Sequence, residues 1–222
     1  MIALLTAPAL AASALDVSIA LPITEGELAR FYDEPLVSLG YVTPEPVAPK
    51  TRFSGGFTVV GEGWGDANGG LLLLFGADLW SRSWEHVPTD FGVAVWSTQL
   101  GAGWRVHSAP LGGAPIAGYA DAVVGATGQF VLPTWYKGVV SVTPSLDLGM
   151  GVTIGRGPVR GHLGGRAGVC LGNAETSGSV TNTPDDFAWE WRSGRGWIRL
   201  QAGVSFVLPR RARPDEAPAI PG

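Results

Sequence analysis

VVSVTPSLDLGMGVTI, residues 139–154, alternates almost without a fault. Val140, Val142, Pro144, Leu146, Leu148, Met150, Val152 and Ile154 interleave with Ser141, Thr143, Ser145, Asp147, Gly149, Gly151 and Thr153. Successive side chains of an extended chain point to opposite faces of a sheet, so a period of two means strand and not helix. One face of this strand is apolar and the other is polar or small throughout.

The same split extends in both directions along the chain. In residues 197–208, Ile198, Leu200, Ala202, Val204, Phe206 and Leu208 oppose Arg199, Gln201, Gly203, Ser205 and Val207. In 159–171, Val159, Gly161, Leu163, Gly165, Ala167, Val169 and Leu171 oppose Arg160, His162, Gly164, Arg166, Gly168 and Cys170. Eight segments follow this rule: 53–65, 71–82, 91–107, 119–132, 139–154, 159–171, 187–192 and 197–208. Residues 66–70, 112–115, 155–158 and 193–196 between them are rich in Gly, Pro, Asn and Asp, which suit hairpin turns. Val93 and Val95 fall out of phase with Trp96 and ask for a bulge.

The expected fold is all-β: a closed antiparallel up-and-down barrel of eight strands over residues 53–208, although the alternation alone fits a soluble barrel or sandwich equally well. Leu15–Leu21 and residues 36–43 alternate weakly, and the barrel has ten strands if both pair. Residues 15–52 otherwise read as an N-terminal segment, with a capping box at Thr24–Glu27 opening a short helix and a Pro-rich linker at 43–49. Residues 209–222 read as a disordered tail, and residues 1–14 as a signal peptide that lacks a basic start.

The charges choose which face looks inward. Glu62, Asp78, Arg82, Arg105, Asp121, Asp147, Arg160, Arg166, Glu190, Arg192 and Arg199 all fit the non-apolar face, and the pairs Asp78/Arg82, Arg160/Arg166 and Glu190/Arg192 agree in parity. That face is crowded with Gly and Ser, and Lys50 and Lys137, the only two lysines, lie outside the segments. A face turned to water normally carries more Lys and Glu. Acid and Arg near parity suit an enclosed ionic network, with the apolar face turned to a lipid bilayer. Trp84, Trp104, Trp135, Tyr136, Trp189, Trp191 and Trp197 fall near strand ends, as aromatics at a membrane interface do. Trp64 and Trp80 take the inward phase instead.

Composition narrows the classes further. A chain of 222 residues with 33 Gly, nine Trp and 15% charged residues suits one β domain, and no apolar run approaches the length of a membrane helix. The formal net charge of −4 gives no basic footprint for nucleic acid. Cys170 stands alone and three scattered His have no spaced partners, so neither a metal site nor a cofactor is expected.

With its alternating strands, Arg/acid pairs, signal-like start and final strand Trp197–Phe206, the chain resembles the small OmpA-like bacterial outer-membrane barrels. The resemblance covers residues 53–208 and rests on pattern without a residue motif. It implies an outer-membrane location, the bilayer and other envelope proteins as partners, and a structural or surface-recognition role. Members commonly end on the aromatic of the last strand, whereas here a tail follows Leu208. Some similar barrels modify lipids, and His107 beside Ser108 is the one pair of residue types such an enzyme would use. Neighbours on a strand point apart, which argues against that pair as base and nucleophile. His162 could meet Asp147 across the hairpin at 155–158, and the polar loop 173–186 is the longest place for recognition. A soluble barrel or sandwich is the remaining reading.

Overall fold

The computed structural model describes residues 12–23, 33–39, 50–66, 69–84, 91–111, 114–133, 138–172, 175–180, 187–193 and 195–208, some of them by backbone alone. Among the described residues there are eleven strands: β1 Ala12–Pro22, β2 Asp33–Leu39, β3 Lys50–Asp66, β4 Gly69–Trp84, β5 Phe91–His107, β6 Ile116–Pro133, β7 Val139–Ile154, β8 Val159–Cys170, β9 Glu175–Val180, β10 Phe187–Ser193 and β11 Gly196–Val207. Eight of them close an antiparallel barrel in the order β1–β11–β8–β7–β6–β5–β4–β3, and β3 returns to β1. The other three form a separate sheet ordered β2–β10–β9.

The count of eight holds, but its membership changes. Leu15–Leu21 lies within β1 and joins the barrel between β11 and β3, while 187–192 leaves it as the centre of the small sheet. The barrel therefore begins at residue 12 and not at 53, and residues 36–39 belong to β2 instead of a tenth barrel strand. A period of two identifies a strand but is blind to which sheet it joins; closure needs a partner for β11, and the N-terminal strand supplies it. The loop expected at 173–186 contains β9. The capping box, the Pro-rich linker and the tail lie outside the described residues, as do residues 1–11, whereas Ala12–Ala14 belongs to β1.

Every second residue then sorts by face. Val140, Val142, Leu146, Leu148 and Met150 of β7 are exposed on the outside, with Asp147 and Ser145 buried within. Leu148 is 55% exposed and Phe206 40%, against 2% each for Arg166 and Arg199. A soluble barrel would have these values reversed. β5 pairs with β4 and β6 without any register shift, so the bulge expected at Trp96 is absent: Val93 and Val95 sit on the inner face with Ser97, Gln99 and Arg105. The inner face is thus not uniformly polar. Val60, Leu72, Leu74 and Val123 form an apolar cluster inside the barrel.

The two ends differ. The short connections 67–68 and 155–158, the 108–115 loop, the first residues of β1 and the last residues of β11 share one end. Gly155 and Gly157, with φ of 132° and 113°, make the second of these turns, in a region that L side chains avoid. The longer connections 23–49 and 171–195, which contain the small sheet, leave from the other end with 85–90 and 134–138.

Candidate functional site: the ionic interior

The interior is threaded by one chain of charge-assisted hydrogen bonds. Arg105 on β5 donates from Nε and Nη2 to Asp121 Oδ2 at 3.1 and 2.9 Å, and from Nη1 to Asp16 on β1. Arg166 on β8 donates from Nη2 to the other oxygen of Asp121 at 2.7 Å and from Nε to Asp147 Oδ1 at 2.6 Å. Asp147 Oδ2 accepts from Gln99 Nε2 at 3.3 Å and Trp197 Nε1 at 3.1 Å. Gln99 in turn accepts from Arg199 Nη1 at 2.8 Å, and Arg199 pairs with Asp78, which also accepts from Ser97 at 3.4 Å. The guanidinium fork suits this work because its several donors can bridge carboxylates from different strands.

Two π contacts add to the chain. The Arg105 guanidinium lies 4.3 Å over the Tyr119 ring and that of Arg199 lies 5.1 Å from Trp197. Tyr119 OH meets His162 Nε2 at 3.0 Å, and His162 Nδ1 lies 3.7 Å from Asp16.

Glycine makes the room. A Cβ at Gly149 would stand 2.4 Å from Asp121 Oδ1 and 2.7 Å from Arg166 Nη1, and one at Gly168 would stand 2.1 Å from the Trp197 ring. The small residues of the alternating polar face are therefore the sockets of its large ones.

Of the residues singled out in the sequence, Glu62, Asp78, Arg105, Asp121, Asp147, Arg166 and Arg199 are buried in the interior. Arg160 is half-buried and bonds the Gly157 carbonyl at 3.2 Å at the tight-turn end, apart from this chain. Glu190 and Arg192, expected in the interior, belong instead to β10 in the small sheet. The side chain of Arg82 lies outside the described residues. His162 meets Asp16 and Tyr119 instead of Asp147, because the β7–β8 register sets it opposite Thr153. Asp16, Gln99 and Tyr119 were not singled out. Asp16 had a signal, being the one charge in Leu15–Leu21 and on the face opposite Val17, Ile19 and Leu21.

Among the expected interface aromatics, Trp104 is exposed on the outer face. Trp197 is not: it is 5% exposed and points inward to Asp147. Its position beside the start of β11 suggested an interface, but its parity with Arg199 places it inside. Trp84, Trp189 and Trp191 are described by backbone only, and Trp135 and Tyr136 lie outside the described residues. Trp80 is inward as its phase requires.

His107 Nε2 lies 2.8 and 2.9 Å from the two oxygens of Glu62, which lies 3.7 Å from Arg105. Ser108 Oγ instead donates to the Ala109 carbonyl and accepts from the Gly118 amide, each at 2.9 Å. The two side chains have different partners. Among the described residues no group of three His, Cys, Asp or Glu is arranged to hold a metal ion.

An eight-stranded closed barrel, ionic within and apolar without, defines a class of fold. Among solved structures, the outer membrane protein OprG from Pseudomonas aeruginosa matches with a TM-score of 0.56 at 8% identity, over 87% of this chain and 93% of that one. Neisserial surface protein A matches with a TM-score of 0.43 at 14% identity, over 87% of this chain and 96% of that one. Ail, the attachment invasion locus protein of Yersinia pestis, matches at 0.38 and 13%, over 87% and 98%. The OprG match meets the sequence-based expectation at the level of fold. No family model and no curated protein matches the chain.

Proposed function

We propose that the chain is a bacterial outer-membrane barrel that spans the bilayer with a filled interior, and that its role is structural or one of surface recognition. The observation that carries this is the inversion of faces: Arg166 and Arg199 are buried while Leu148, Val204 and Phe206 are exposed. Closure satisfies the backbone from strand to strand, which is what a bilayer demands of any spanning sheet. Eight strands leave an interior that side chains can fill, and here Arg105, Gln99, Leu72, Leu74, Val93, Val95, Val123, Val131 and Thr127 are among the largest side chains fully buried. In such barrels short turns face the periplasm and long loops the outside, so the end bearing the small sheet faces outward.

The test has two parts. The protein should stay with membranes through carbonate extraction and migrate differently on a gel when heated, and in a planar bilayer it should give no steady conductance. Buffer-soluble protein would end the membrane reading, and a stable open channel would end the filled-interior reading. The lipid-modifying reading gains nothing from the geometry, since Ser108 bonds backbone groups and His107 bonds Glu62.

A further inference from the structure

The small sheet has a central strand, β10, paired on both sides, and two edges, β2 and β9. The edges are not alike. β2 carries Pro35, which has no amide to donate, and its pairing with β10 shifts register between Glu190 and Arg192. Proline and bulges are the means by which natural edge strands refuse further pairing. β9 has neither: it pairs with β10 from Phe187↔Val180 to Arg192↔Glu175 without a shift, and its sequence ETSGSV holds no Pro or Lys. Among the described residues no strand pairs with its other side.

Charge indicates the occupant. Asp33, Glu34, Glu175 and Glu190 outnumber Arg192 in the three strands. The connections at the same end of the barrel, residues 23–49, 85–90, 134–138 and 171–195, carry eleven Asp and Glu against four Lys and Arg. Such a field draws in cationic partners and repels anionic ones. We propose that the open edge of β9, Glu175–Val180, accepts an extended, Lys- or Arg-bearing segment of a partner protein, which adds as a fourth strand of this sheet. This rests on the surface-recognition reading and names its mode, in which backbone amides supply affinity and charge supplies selection.

The test uses the full chain folded in detergent and a labelled synthetic peptide with lysine at every second position and Val or Thr between, followed by fluorescence anisotropy. The lysine peptide should bind. Methylating alternate backbone amides, or replacing lysine by glutamate, should each weaken binding by about tenfold or more, as loss of a pair of hydrogen bonds or of charge attraction implies. Of Thr176→Pro and Ser177→Pro, the one that removes an open-edge amide should do the same, with heat-modifiable migration showing that the barrel stays folded. Equal binding by the methylated peptide, or none by the lysine peptide, overturns strand addition. If the lysine peptide fails but replacing residues 175–193 by a short Gly-Ser turn still abolishes attachment of cells bearing the protein, recognition stands without this mode. If that replacement leaves attachment unchanged, the recognition reading itself falls.

Discussion

Leu72 and Leu148 are both leucines on barrel strands, yet Leu72 is fully buried and Leu148 is more than half exposed. β7 has one greasy face, turned outward; β4, with Leu71–Phe75, has two. Inside the barrel, Leu72 and Leu74 join Val60 and Val123 as an apolar filling, while Arg105, Asp121, Arg166 and Asp147 form the ionic filling. The interior is therefore closed by two unlike materials. The ionic one depends on attraction between its charges, the apolar one on volume.

That difference can be broken most severely at Arg166. Arg166→Met keeps bulk but strips Asp121 and Asp147 of a shared cation, leaving buried carboxylates short of compensation. A loss of about 3–5 kcal/mol is expected from removing one partner of a buried pair. Urea unfolding of the bilayer-folded protein, read by heat-modifiable migration, measures it; a loss below about 1 kcal/mol would mean that water already serves these groups.

Next comes volume. Leu72→Ala should cost about 2–5 kcal/mol, since a sealed interior can only partly collapse on the space left. Leu148→Ala deletes the same atoms where lipid can flow in, so the cavity share is absent and the cost should be clearly smaller. Equal losses in the same urea titration would contradict the assignment of faces. Gly149→Val sharpens the ionic side in turn, because its Cβ would stand 2.4 Å from Asp121 Oδ1. Overpacking of this kind costs about 1–3 kcal/mol, whereas Gly61→Val, with open space at its Cβ, should be tolerated.

Most of this fold was legible in the alternation, because a barrel that reverses the usual polarity still obeys the pleat. β7 and β11 could be read residue by residue. What stayed hidden was partnership between distant strands. That β1 rather than β10 closes the barrel depends on pairing Ala14 with Val207, a separation no local pattern records. The ionic residues of β5–β8 and β11 were visible as charges on one face, but their connection through Gln99 and Trp197 was not, since amide and indole groups read as neutral filling or as interface. Val93 and Val95 misled for the opposite reason: apolar residues inside a barrel look like an error of phase.

The smallest effect separates two tryptophans. Trp197→Phe keeps a ring in the socket beside Gly168 but removes the indole donor from Asp147 Oδ2, which retains Gln99. About 1 kcal/mol should be lost, the usual net value of one such bond, with a little more from the weakened face beneath Arg199. Trp104→Phe, on the outer face and 51% exposed, has no interior bond to lose. Its change should stay within about 0.5 kcal/mol, as for surface substitutions away from special features. Fluorescence gives a second reading of the same pair. Brominated lipid tails should quench the emission of Trp104 and spare that of Trp197, in variants where each is compared with its own Phe replacement. Quenching of Trp197 to the same degree would place its ring among lipid chains, and the ionic interior would then lack the link that joins β11 to β7.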